Sequence, residues 1–119
     1  NQEENQMDTI STLKKAIELR KPISYEYNRL GKTPGKRIGD PYVVFVYTAS
    51  DRKQSTKLHI VQTSGVSDSS DKQPLPSFRT HEVESLSHLV ILDDEPSFTP
   101  NHPDYNPNWE KYDNVIAQI

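Results

Sequence analysis

Between Pro22 and Asp94 the chain runs through five strand-length segments, and no helix-length amphipathic segment separates any two of them. Parallel strands need a crossover of a dozen or more residues, usually a helix. A chain with only turns between its strands is confined to an antiparallel sheet, open or curled into a small barrel. In PISYEYN, Ile23, Tyr25 and Tyr27 alternate with Ser24 and Glu26, the pattern of a half-buried strand. RIGDPYVVF (Arg37–Phe45) opens a long strand interrupted near Gly39–Pro41, and its continuation YVVFVYT is continuously apolar, which marks it as the most buried. KLHIVQT sets Leu58, Ile60 and Gln62 on one face and Lys57, His59 and Val61 on the other. FRTHEVESL (Phe78–Leu86) and HLVILDD complete the set. RLGKTPGK and ASDRKQS read as turns, and the Ser-, Asp- and Pro-rich residues 63–77 as a long mobile loop.

Both flanks read as helical. Asp8 or Thr9 caps a stripe of Ile10, Leu13, Ala16 and Ile17, and Pro22 ends it, giving a helix of about 12 residues that must dock to be stable. At the other end Asn106-Pro107 is a plausible cap and first helical position, and Trp109, Tyr112, Val115, Ile116 and Ile119 follow at helical spacing. The expected organisation is a disordered stretch over 1–8, a barrel domain over 9–98, and a C-terminal extension over 99–119 carrying a short amphipathic helix. The fold class is mainly β with flanking helices: a small, partly open barrel with an N-terminal helix and a C-terminal helical tail.

At 119 residues, with 32% of them apolar, the chain supports one domain with a modest core. It has no cysteine, which removes disulfides, thiolate metal sites and thiol catalysis. It lacks an apolar run long enough for a transmembrane helix. The chain opens on Asn1 and no basic-then-apolar leader precedes Met7, so a trimmed or partial chain and a cytoplasmic location are the expectations. A net charge of −3 argues against a general nucleic-acid coat. The charge is uneven, however: Lys14–Arg37 holds eight basic residues against two acids, and Asp68–Ile119 three against ten. That asymmetry can put a positive face on an acidic protein.

Taken in order, LKKAIELRKPISYEY, RIGDPYVVF, LHIVQTSG, FRTHEVESL and VILDDEPSF resemble a WYL domain, from about Ile10 to Phe98. The resemblance implies a small Sm-like (SH3-type) barrel with an N-terminal helix. It also implies a ligand-sensing role, in which basic barrel residues hold a nucleotide-like or nucleic-acid anion. It places Arg37 at the arginine before the Pro-Tyr element and Arg79 at the arginine opening the late strand. The chain departs from the family on the signature strand, where Leu58, His59 and Ile60 stand in place of Trp-Tyr-Leu. On the late strand, further arginines are replaced over His81–Leu86, with Glu82 reversing a charge. No helix-turn-helix is read in this sequence.

Arg37 and Arg79 are the candidate clamp for phosphate or carboxylate, because a guanidinium presents a planar, bidentate fork. Lys57 and His59 share a strand face, and His81 joins Arg79 on its own strand. If those strands pair, these polar groups converge on one anion. The plainer alternatives are local ion pairs with Asp40 or Glu82, or a solvated barrel face. No cofactor is implied. The four histidines lack zinc-site spacing, Asp93-Asp94-Glu95 lacks the alternation of a calcium loop, and no phosphate loop or nucleophile elbow occurs. Two functional readings stand. One is a non-catalytic ligand-sensing module for a nucleotide or a short single-stranded nucleic acid. The other is a protein-interaction or homo-oligomerisation domain that has lost the ligand and uses Trp109, Tyr112 and Ile116.

Overall fold

The computed structural model describes residues 2–67 and 74–119, with side chains described from Asp8 onward. Helix α1 (Gln2–Leu19) is followed by strands β1 (Ile23–Tyr27), β2 (Lys36–Thr48), β3 (Gln54–Gly65) and β4 (Ser77–Glu82). A single 3-10 turn over Val83–Ser85 leads into β5 (Leu86–Ile91), and β6 (Val115–Gln118) closes the chain. The strands form one six-stranded antiparallel sheet in the order β4-β3-β2-β1-β5, with β6 also paired to β2. The ends of that order do not pair, so the sheet is open. No helix among the described residues is long and apolar enough to cross a membrane.

Helix α1 begins at Gln2, six residues before the expected cap, and is 18 residues long. Gln, Glu and Met have high helix propensity, so the sequence before Asp8 can extend the helix N-terminally. The helix buries Leu13, Ala16 and Ile17 against the sheet. Its C-terminus is a Schellman motif. Arg20 takes a left-handed φ of 55°, its N–H donates to Ile17 O at 3.1 Å, and Lys21 N–H donates to Ala16 O at 3.0 Å.

Strand β2 organises the sheet. Lys36–Gly39 pair with β1, Arg37–Thr48 with β3, and Val43–Phe45 with β6. Irregularities fall at Ile38/Gly39 and Pro41/Val43, where the sequence reading places the interruption. Gly39 has no room for a side chain: a Cβ there would meet Val61 O at 2.7 Å and the Ile60 side chain at 3.0 Å. Gly65 is held at φ 97°, with Lys36 O at 2.3 Å from where a Cβ would stand.

The C-terminal helix is corrected by the structure. Residues 103–113 form successive turns, in which Trp109 N–H donates to Asn106 O and Tyr112 N–H to Trp109 O. Val115–Gln118 is then a strand. The cause is the mismatch between β2, with 13 residues, and β1, with five. Beyond the end of β1, the backbone groups of Val43–Phe45 need partners, and β6 supplies them. Ile119 N–H and Asn114 O extend the pairing to Tyr42 O and Val46 N–H.

The single strand expected over FRTHEVESL is also divided. It stops at Glu82, turns through the buried Val83, and restarts at Leu86. This corner carries the chain from the β3 edge to the β1 edge, since β4 pairs β3 and β5 pairs β1. Asn28 N–H to Ser85 O, at 2.8 Å, and Glu82 N–H to Tyr27 Oη, at 2.9 Å, hold the corner. Of the loop read over 63–77, the first residues belong to β3 and Ser77 to β4, while 68–73 lie outside the described residues.

The sheet has two apolar faces. The inner one, with Ile23, Tyr25, Val44, Leu58 and Ile60, packs on α1. The outer one, with Val43, Phe45 and Val61, is covered by Phe98, Tyr105, Trp109 and Tyr112 from the C-terminal segment. Ile116 packs on the inner cluster.

Candidate functional site

The register of β3 against β4 decides which site residues meet. Lys57 lies opposite Glu82, His59 opposite Thr80, and Ile60 opposite Arg79. Because side chains alternate along a strand, Lys57 and His59 point to the outer face while Arg79 and His81 point inward. The five candidates therefore occupy two sites on opposite sides of the sheet. The convergence of Lys57 and His59 with Arg79 and His81 does not occur, although the strands pair as the sequence suggested.

The inner site is polar and buried. Arg37 is 0% exposed, Gln62 0%, His81 4% and Arg79 8%. Tyr25 pairs with Arg37 across β1 and β2, and the Tyr25 hydroxyl lies 3.0 Å from His81 Nε2. The His81 ring leans on Tyr27 at a centroid distance of 4.2 Å, and the Arg37 guanidinium stands 5.8 Å from that same Tyr27 ring. The charges of Arg37 and Arg79 both reach the Tyr25 phenol and favour its ionised form. Burial outweighs them, so its pKa is raised and the phenol stays neutral. Arg37 Nη2 donates to Thr33 O at 3.0 Å, and Arg79 Nη2 donates to Ser67 Oγ at 2.8 Å. Gln62 Nε2 donates to Val66 O at 2.7 Å, tying the end of β3 to the same corner. Chemically, two guanidinium forks beside a phenol and an imidazole make a set of donors suited to an oxyanion.

The outer site is aromatic. The Lys57 ammonium is held by Glu82 Oε1 at 2.6 Å, the local pairing the sequence left open for Glu82, though with Lys57 rather than Arg79. His59 Nδ1 and the Tyr112 hydroxyl are 2.5 Å apart. The His59 ring stacks on Trp109 at 5.5 Å and meets Phe45 and Phe78 edge-on. Burial, and then the nearby Lys57 charge, depress the His59 pKa to about 4, so the imidazole is neutral at pH 7. Beside it opens a cleft of about 300 Å³. Among the described residues, no three His, Asp or Glu side chains converge to hold a metal.

Sequence reasoning missed Tyr25, Tyr27 and Gln62 as members of the inner site. The alternation of PISYEYN places Tyr25 and Tyr27 with Ile23 on the core face, but only the register shows Tyr25 meeting Arg37. Trp109 and Tyr112, read as one face of a helix, instead wall the outer cleft. Neither a scan against protein-family models nor a search of the curated proteins finds a match to this chain.

Proposed function

We propose that the chain is a non-catalytic binding module that holds a small oxyanion, of the nucleotide phosphate type, at the Arg37–Arg79 pair. The curled open sheet with its single helix is read as an Sm- or SH3-like barrel of the kind WYL domains have. One observation carries the proposal: Arg37 on β2 pairs with Tyr25, and Arg79 on β4 lies two residues before His81, whose Nε2 is 3.0 Å from the Tyr25 hydroxyl, so both arginines border one buried cluster. Paired guanidinia at one point recognise phosphate or carboxylate by charge-assisted, bidentate bonds. Tyr25, Tyr27 and His81 stand beside the pair with rings and polar groups.

Calorimetric titration with inorganic phosphate, a nucleoside monophosphate and a short single-stranded oligonucleotide tests this. Binding at low salt is expected, weakened at least tenfold by Arg79→Gln. For the oligonucleotide, the logarithm of affinity should fall with log salt at a slope of about −0.7 to −1.4, for one or two neutralised phosphates. No binding at low salt, or an Arg79→Gln variant that binds like the parent, defeats the proposal.

A further inference from the structure

A second site lies on the other side of the sheet, independent of the two arginines. The outer cleft is walled by four rings, those of His59, Phe78, Trp109 and Tyr112, with Asp104, Asn106 and Thr80 also lining it. The rings do not offer a slot for a flat ligand. His59 and Trp109 already stack on one another, and Trp109 and Tyr112 stand at 88° with centroids 5.2 Å apart. Rings set at right angles present π-electron density from more than one direction, which suits a compact cation better than a plane.

Charge points the same way. The lining holds one carboxylate, Asp104, and no lysine or arginine. Asp104 is exposed and forms no ion pair among the described residues. The side-chain oxygen of Thr80 adds an acceptor. The same face already draws cations onto rings: Lys57 and Lys111 sit 5.1 and 5.6 Å from the centroid of Tyr47. Tyr47 lies outside the cleft lining, so neither contact fills it.

We propose that this cleft binds an organic ammonium head group, with the faces of Trp109 and Tyr112 against its methyl or methylene groups and the Asp104 carboxylate as its counter-charge. The volume fits one such head group with a short stem, whether carried by a free amine or by a methylated lysine side chain.

Trp109 is the chain's one tryptophan, so its fluorescence reads the cleft directly. Full-length protein titrated with tetramethylammonium chloride, at ionic strength matched with sodium chloride, should show a saturable change. The neutral isostere of choline, 3,3-dimethylbutan-1-ol, should not reproduce it. Asp104→Asn, at an exposed turn, should weaken binding about tenfold, the loss of one charge-assisted contact. Trimethyllysine amide and a peptide carrying trimethyllysine separate the two sources: equal affinity assigns a free amine, and tighter peptide binding assigns a protein tail. An absent or non-saturable response, or an alcohol response equal to that of the ammonium, overturns the proposal without recourse to any variant. An Asp104→Asn protein that binds as tightly as the parent does the same.

Discussion

The Tyr25 hydroxyl and His81 Nε2 lie 3.0 Å apart inside the sheet, joining β1 to β4 across two intervening strands. Neither strand pairs with the other; this contact, the His81 ring on Tyr27 and the Glu82 N–H bond to Tyr27 Oη link them through side chains. Tyr25→Phe removes the phenol and leaves the buried imidazole short of one partner. We expect a loss of about 1–3 kcal/mol. Urea unfolding measures it, and a change below a few tenths of a kcal/mol would show the bond to be dispensable.

Gly39 is where β2 and β3 approach too closely for any side chain. Gly39→Ala drives a methyl group against the Val61 carbonyl, and backbone cannot swing aside as a flexible side chain can. The expected cost is about 1–3 kcal/mol, the usual penalty for overpacking. Thermal unfolding of the variant reads it directly.

Arg20 closes α1 in the left-handed conformation that glycine adopts without strain. Its own N–H bond is a backbone bond, which glycine keeps. Arg20→Gly is therefore expected to stabilise the protein, by about 1 kcal/mol, rather than weaken it. A lower unfolding midpoint would mean that the arginine side chain contributes more than the strain it imposes.

Two groups respond to pH with opposite sign. His59 is depressed from 6.5 to about 4 by burial and by Lys57. Its contribution to stability is full above pH 6.5 and is lost as pH falls toward 4. Asp40 is raised from 3.8 to about 6 by burial. Its contribution is full below pH 3.8 and is lost as pH rises through 6. The two largely offset one another between pH 4 and 6. Urea midpoints across that window should change little for the native chain. They should fall with decreasing pH in Asp40→Asn and rise with decreasing pH in His59→Gln. Parallel profiles for the two variants would contradict the assignment.

Much of the fold is written in local pattern. The alternation of KLHIVQT places Leu58, Ile60 and Gln62 on one face and Lys57, His59 and Val61 on the other, and the structure keeps that division. The break near Gly39–Pro41 is legible because glycine and proline mark it. The site is less legible, because it depends on register. Whether Lys57 faces Glu82 or His81 is a shift of one residue, and that shift moves a side chain to the other face. The C-terminus misled for a related reason. Trp109 and Tyr112 are three residues apart, a spacing shared by a helix and by the turn that joins them here. What makes Val115–Gln118 a strand is the uncovered stretch of β2, a tertiary demand with no local signal.

Arg37 and Arg79 are proposed to hold one oxyanion together. The guanidinium Nε–Hε resonances of the two residues, followed during titration of the full-length protein with a nucleoside monophosphate, test it most directly. Both signals are expected to move, saturate at the same ligand concentration and share one dissociation constant, while Arg29 and Arg52, which are exposed, stay in place. Shifts confined to the exposed arginines, or two different dissociation constants for Arg37 and Arg79, would contradict it.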